Sequence, residues 1–335
     1  MQAWLESKWY GSQNKGWKIL CFPFHCILQC LVLSRYFLYR FGLLSSWRSP
    51  VPVVIVGNIS VGGTGKTPLV IWLVEKLKAA GYFPGVISRG YGGMIQHPSE
   101  VPEGGNPSLF GDEPLLIAKR ASCPVWVGKD RPAAAKALLR AYPQCNVIIS
   151  DDGMQHYALQ RDIEIVVVDG SRLYGNKLLL PLGPMREPMS RLTRVDAIVV
   201  NGGSSCKPGE YLMRLDGDEF SSLHTPQKIV QASHFLNKKN HAVAGIGNPK
   251  RFFNHLRKLG VKVTEHSFPD HHPFQPSDLS IPDADAILIT EKDAVKCQHF
   301  PQKNIWVLPV KAEVMNGLEN KVINKIESFY GRKTA

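Results

Sequence analysis

The chain has no Cys-x-x-Cys pair, no internal repeat, no low-complexity tract, and no dense lysine/arginine run interleaved with aromatics. Each absence removes a class of protein. The seven cysteines (Cys21, Cys26, Cys30, Cys123, Cys145, Cys206, Cys297) lack zinc-ligand spacing and are odd in number. Reduced thiols in a cytosolic compartment are therefore expected. Without a basic-aromatic tract or a known module, nucleic acid is not the expected partner, and nothing marks an obligate protein partner. Acidic residues are scarce, 28 against 40 lysines and arginines, leaving a net charge of +12. That balance points to an anionic surface or substrate, an acidic membrane or a phosphorylated molecule. With 335 residues, 44% hydrophobic and 20% charged, the chain can build two domains with separate cores.

A long apolar run is also missing. Ile19 to Leu33 is mostly apolar but is interrupted by Pro23, His25 and Gln29. It falls short of the roughly 20 residues a bilayer span needs, and no small-residue cleavage site follows it. Lys15 and Lys18 precede it, Arg35, Arg40 and Arg48 follow, and Trp4, Trp9, Trp17, Tyr36, Tyr39 and Trp47 are types that settle among headgroups. Residues 1–48 therefore read as a membrane-interface segment with basic side chains on anionic inner-leaflet lipids. The alternatives are an N-terminal helix packed on the core and a short span.

What is present begins with Ser60-Val-Gly-Gly-Thr-Gly-Lys-Thr67, between the apolar runs Val53–Gly57 and Leu69–Val74. Strand, glycine loop and helix in that order make a nucleotide triphosphate cradle. Gly62, Gly63 and Gly65 let backbone N–H groups face phosphate oxygens, with Ser60, Val61 and Thr64 completing the loop. Lys66 can reach the β- and γ-phosphates, and the Thr67 hydroxyl is placed for Mg²⁺. Ser60 stands where the usual pattern has its first glycine. The plain alternative is a glycine-rich turn.

From Val51 on, short β-branched runs alternate with helical stretches, which predicts an α/β fold: a P-loop NTPase-like, mostly parallel sheet with flanking helices. The organisation expected is a kinase-like domain over 49–205, a Gly/Ser/Pro-rich boundary at 206–225, and a second, smaller α/β domain over 226–335.

Asp151-Asp-Gly-Met-Gln-His156 closes the apolar run Val147–Ser150, where a parallel sheet holds Mg²⁺. Adjacent carboxylates on a strand face opposite ways, so only one of Asp151 and Asp152 should meet the phosphates. Asp112, in Gly111-Asp-Glu-Pro114, is either a helix N-cap or a base. In Phe268-Pro-Asp-His271-His272, adjacent histidines beside Asp270 suggest a site. Arg186 can stabilise a transferred phosphoryl group, and Glu187 can join the metal shell; a surface ion pair is the ordinary reading.

Taken together, these motifs resemble those of the tetraacyldisaccharide 4′-kinases of Gram-negative lipid A synthesis. The likeness rests on Gly57–Pro68, Ser88-Arg-Gly-Tyr-Gly-Gly93, Gly111–Pro114, Asp151–His156, Leu180–Pro188, Asp270-His271 and Thr290-Glu-Lys-Asp293, in that order, and covers nearly the whole chain. The resemblance implies ATP and Mg²⁺ as cofactors. It implies transfer of the γ-phosphate to the 4′-hydroxyl of a tetraacylated glucosamine disaccharide 1-phosphate. It implies a peripheral position on the cytoplasmic face of the inner membrane. It further implies Asp112 with His271 as the base, Lys66 and Arg186 on the phosphates, and Thr67, Asp151, Asp152 and Glu187 around the metal. His272 leaves open which histidine serves. Two rivals remain at this stage. One is a regulatory or metal-insertion NTPase, although a guanine-selecting segment is missing; the other is a membrane adaptor with a relic loop.

Overall fold

The computed structural model describes residues 8–11, 15–203 and 206–334; Trp4, Ser204 and Ser205 lie outside the described residues. From Val53 the chain lays down β1 (Val53–Gly57), β2 (Pro84–Ser88), β3 (Ser99–Glu100), β4 (Val125–Val127), β5 (Val147–Asp151), β6 (Ile163–Asp169), β7 (Ala197–Asn201) and β8 (Tyr211–Asp216). A second unit follows with β9 (Glu219–Ser222), β10 (Ile229–Gln231), β11 (Asn240–Ala244), β12 (Val263–Ser267), β13 (Ala286–Thr290) and β14 (Ile305–Leu308); β15 (Lys311–Val314) comes last. The helices are α1 (Lys15–Arg40), α2 (Lys66–Ala79), α3 (Pro107–Phe110), α4 (Asp112–Ala121), α5 (Arg131–Ala141), α6 (Pro249–Lys258), α7 (Glu291–Cys297) and α8 (Leu318–Thr334).

The large sheet runs β15-β8-β7-β6-β1-β5-β2-β4-β3, parallel except at its two outermost strands. All of β1 is buried, as a near-continuous apolar strand covered on both faces should be. Leu69, Val70, Leu73 and Leu77 of α2 pack with Val54 and Val56 on one face. Ala134, Ala135 and Leu138 of α5 pack with Val53, Ile55 and Ile148 on the other. Each fully buried leucine stabilises the fold by about 1.5–3 kcal/mol. The smaller sheet, β10-β9-β14-β13-β11-β12, is parallel through β14, β13, β11 and β12. This is the α/β architecture the sequence predicts, with a glycine loop after the central strand.

The division into units differs at the C-terminus from the expected 226–335. The chain crosses to the small sheet between Asp216 and Glu219 and returns between Leu308 and Lys311, so β15 pairs with β8 and α8 joins the first core. The cause is the apolar stripe Leu318, Val322 and Ile326, at helical spacing, which fills the face beside α2. The two crossings touch: a Cβ on Gly217 would meet the Pro309 carbonyl oxygen.

Helix α1 is longer than its apolar run implies, and its 26 residues extend about 39 Å. By length and composition it can cross a membrane. One side rests on the protein: His25 Nδ1 lies 3.0 Å from Leu179 O, and Tyr36 and Tyr39 stack near Tyr157. The other side presents Ile19, Leu20, Phe22, Phe24, Ile27 and Leu31, all more than half exposed.

Candidate active site

Four strand ends converge on the site. Gly57 of β1 leads into the glycine loop, while Asp151, Asp169 and Asn201 close β5, β6 and β7. Ligands in parallel sheets bind at such carboxyl ends. The loop is held from outside: Val61 N donates to Pro184 O (2.8 Å), and Asn201 Nδ2 donates to Thr64 O (2.9 Å). Gly65 adopts a left-handed φ of 94°, and a side chain there would collide with Asn201. That bend delivers Lys66 and Thr67 to the first turn of α2, where unpaired N–H groups favour an anion.

Lys66 Nζ reaches Asp152 at 3.5 Å, and Arg186 Nη1 lies 3.4 Å from the other Asp152 oxygen. Asp152 sits in the left-handed region (φ 49°), which turns its carboxylate toward these cations. Burial opposes ionisation, yet Lys66 and Arg186 pull the carboxyl down to about 2. Asp151 is buried differently. Both its oxygens lack a hydrogen-bond partner among the described residues, and burial, reinforced by Glu113, pushes its pKa up. A buried, unpartnered carboxylate, its chain neighbour Asp152 and the Thr67 hydroxyl at the end of the loop are hard oxygens, a donor chemistry that fits a divalent cation such as Mg²⁺. Glu187 is taken up otherwise: Gln155 donates to it at 3.0 Å, and Arg191 lies 3.2 Å away. Gln155 also holds Asn58 O, so Glu187 borders the loop through a shared partner.

Asp112 and His271, 159 residues apart, meet. His271 Nδ1 lies 3.0 and 3.1 Å from the two Asp112 oxygens. Asp112 is the first residue of α4, after Gly111 at the N-cap position, and its Oδ1 accepts the N–H of Glu113 at 2.9 Å. The Asp112 carboxylate thus meets a first-turn N–H, as the capping alternative expects, and His271 as well. Burial raises the Asp112 pKa, but the His271 hydrogen bond and Lys292 outweigh it and hold the carboxyl below the usual range. Burial likewise lowers His271, and the Asp112 bond more than offsets it, leaving the imidazole above its ordinary value. His271 also has a left-handed φ of 60°, and its ring packs against Tyr91, 4.9 Å between centroids. His272 turns elsewhere, to Asp278 at 3.0 Å, packed against Phe268 and Phe274.

Several functional neighbours escape a reading of the sequence. Lys292 bridges Glu113 (2.9 Å) and Asp270 (3.2 Å) and lies 3.4 Å from His271 Nε2. Asp169 ties Arg251 (2.6 Å) and Asn248 (2.9 Å) to the large sheet. Arg131, fully buried, donates to Gly128 O (3.0 Å) and Asp151 O (2.9 Å), fixing the strand end that carries the carboxylates. Asp169 left a signal, since it closes the apolar run Ile163–Val168 as Asp151 closes Val147–Ser150. Lys292 lies within the Thr290-Glu-Lys-Asp293 motif, though nothing in that motif marks its role, and Arg131 left no signal.

A glycine loop on the central parallel strand, a lysine at its helix end and carboxylates on the next strand define a P-loop phosphotransferase. The model of the family "Tetraacyldisaccharide-1-P 4'-kinase" matches residues 17–327, and the chain belongs to that family. It is 49% identical over 323 residues to the tetraacyldisaccharide 4'-kinase of Methylobacillus flagellatus, covering 96% of each chain. To that of Azoarcus sp. it is 48% identical, covering 95% of this chain and 94% of the relative. Among solved structures it resembles the "apo" form of LpxK from Aquifex aeolicus in complex with ATP. The TM-score there is 0.76 at 30% identity, covering 92% of this chain and 99% of that one.

Proposed function

We propose that the chain transfers the γ-phosphoryl group of ATP to the 4′-hydroxyl of a tetraacylated glucosamine disaccharide 1-phosphate, giving the 4′-phosphorylated lipid A precursor. The observation that carries the reading is the Asp112–His271 contact, made between the unit that holds the glycine loop and the unit that does not. Such a pair is suited to take the proton of an attacking hydroxyl. The backbone of Ser60 to Thr67 cradles the triphosphate, and Lys66 and Arg186 meet charge on its β- and γ-oxygens. Thr67, Asp151 and Asp152 are the residues to hold Mg²⁺, with Glu187 close behind; bound there, the ion neutralises phosphate charge. In the transfer, the acceptor oxygen bonds to the γ-phosphorus as the bond to the β–γ bridging oxygen breaks. The hydroxyl proton goes to the Asp112–His271 pair, and ADP leaves with the bridging oxygen.

The acceptor's acyl chains live in a bilayer, and α1 supplies a way to work there. Its exposed apolar side enters the lipid, while Lys18, Arg35, Arg40 and Arg48 face anionic headgroups. We place the protein on the cytoplasmic face of the inner membrane, where ATP is supplied. The test is radiolabelled transfer from [γ-³²P]ATP to the detergent-dispersed disaccharide 1-phosphate. Label in the lipid, dependent on the disaccharide, is expected. ATP turnover without lipid labelling overturns the assignment.

A further inference from the structure

We propose that Lys292 is a positioning residue of the proton-accepting pair: anchored between Glu113 and Asp270, its ammonium group faces Nε2 of His271 and keeps that nitrogen free of a proton. This role rests on the Asp112–His271 reading above and deepens it, by naming what holds the pair ready to act as a base.

Lys292 stands on the first turn of α7, and that turn is tied to the loop that carries His271. The Thr290 side chain caps the helix, its Oγ1 accepting the N–H of Asp293 at 3.2 Å. Asp293 is fully buried, and its Oδ2 accepts Thr290 Oγ1 (2.7 Å) and the N–H of Gly245 (3.0 Å). Gly245 O in turn accepts the N–H of His271 at 3.2 Å. Helix and histidine thus share one anchor just past the end of β11, and the backbone sets the distance between them. Across it, Lys292 Nζ reaches Glu113 Oε1 at 2.9 Å, Asp270 Oδ1 at 3.2 Å and His271 Nε2 at 3.4 Å.

An ammonium group has three donors and no acceptor. Two of them meet carboxylates, one from each unit, and the third meets Nε2. Nε2 can answer only with its lone pair, because a proton there would set N–H against N–H. The hydrogen of the neutral ring therefore sits on Nδ1, toward Asp112. Charge acts in the same direction. Around the ring stand Asp112 with Lys296 behind it, Asp270 at 3.8 Å, Tyr91, and Lys292 with its partner Glu113; His272 has turned away to Asp278. Burial and Lys292 oppose the imidazolium that Asp112 and Asp270 favour. Burial opposes the charge on Lys292 itself, but Glu113, Asp112 and Asp270 outweigh it and raise its pKa, so the ammonium persists over the working range. The pair thus reaches its base form at a lower pH than Asp112 and Asp270 alone would allow.

The experiment follows kcat/KM for phosphoryl transfer against pH and, by NMR on the full chain, the ring titration of His271, with His271→Gln identifying its signal. The unaltered protein is compared with Lys292→Met and Lys292→Arg. Lys292→Met removes the like charge and leaves Asp270 and Glu113 unpaired beside the ring, so the titration and the acid limb are both expected to rise by about one pH unit. The loss in kcat/KM is then about tenfold greater below the limb than on the plateau. Lys292→Arg, which keeps the charge, should hold both close to their unaltered positions. An unmoved titration in Lys292→Met overturns the inference, and so does an equal rise in Lys292→Arg, which marks lost packing. Should Lys292→Met fail to fold, Lys292→Gln, which keeps donors for Glu113 and Asp270 without the charge, is judged by the same readings. A titration that rises while the acid limb stays refutes the base reading beneath, and the role of Lys292 falls with it.

Discussion

Replacing Asp112 by asparagine removes one charge and almost no volume, so the substitution isolates the chemistry of the pair. In the structure the Asp112 carboxylate is 5% exposed and faces His271 Nδ1 through both oxygens, with Lys296 3.8 Å away. If the pair accepts the acceptor's proton, its loss costs about 10²–10⁴ in kcat, the range for general base catalysis. The KM for ATP should hold, because the polar partners of Asp112 among the described residues are Glu113 N, His271 and Lys296, none of them in the glycine loop. The pH dependence separates this from a structural effect. His271 is raised above about 6.5 because the Asp112 hydrogen bond outweighs burial and Lys292, both of which lower it. A pair already carrying this extra proton cannot take another, so the acid limb of kcat/KM in the unaltered protein lies above pH 6.5.

In Asp112→Asn the largest raising cause is gone, Asp270 alone still raises the imidazole against burial and Lys292, and the residual acid limb moves to lower pH. Stability follows the same sign. The raised His271 pKa contributes stability that is complete below about pH 6.5 and is lost as pH rises through the folded value. The lowered Asp112 pKa contributes above about pH 4 and is lost as pH falls through its folded value. The pair therefore stabilises most between about pH 4 and 6.5. The assay is kcat/KM from pH 5 to 9 with matched urea midpoints. A fall in kcat with an unmoved acid limb refutes the base assignment, and so does an intact kcat.

Three other substitutions test separate parts. Gly65→Ala puts a Cβ 2.1 Å from Asn201 Nδ2 at a φ of 94°; it should cost at least about 1–2 kcal/mol of stability and abolish tight ATP binding, read by melting temperature and calorimetry, and unaltered values refute the loop geometry. His156 is pulled down to about 4, by burial first and then by Arg131 and Arg89, so stability is full above about pH 6.5 and falls by up to about 3 kcal/mol as pH drops to 4. His156→Gln should flatten that decline in urea titrations, and equal acid sensitivity of the two proteins counts against it. Phe22, Phe24 and Ile27 changed together to serine should lower partitioning onto anionic vesicles at least a hundredfold, since each insertion is worth about 1.5–3 kcal/mol. Transfer to detergent-dispersed substrate should persist, and undiminished sedimentation with vesicles refutes the role of that face.

The parts of the site legible in the sequence are those whose chemistry requires neighbours in the chain. Ser60 to Thr67 must be contiguous to wrap a phosphate, and the apolar runs on either side show which elements it joins. Asp151 and Asp152 are legible because a carboxylate closing a buried strand is conspicuous. Asp112 is not, since an acidic residue opening a helix has an ordinary explanation; resemblance alone paired it with His271 across 159 positions. Arg131 shows the same limit, because the first residue of a helix is normally solvated and only tertiary packing buries this one. Leu318, Val322 and Ile326 of α8 stand at helical spacing, but that stripe does not say which of two cores it fills. Spacing encodes the face of an element, and the partner of that face is settled by the rest of the fold.

The Asp112–His271 pair and the glycine loop are divided differently between the two units. The glycine loop, Lys66, Asp151 and Asp152 all belong to the large sheet, whereas the Asp112–His271 pair needs one residue from each unit. The contacts that hold the units at this distance are of opposite charge: Glu113 with Lys292, Arg120 with Glu291, and Asp169 with Arg251. Among the described residues the chain crosses between the sheets at two adjacent points, beside Gly217 and Pro309. Separating the units would therefore remove His271 from Asp112 while leaving every loop hydrogen bond to Asn201 and Pro184 in place.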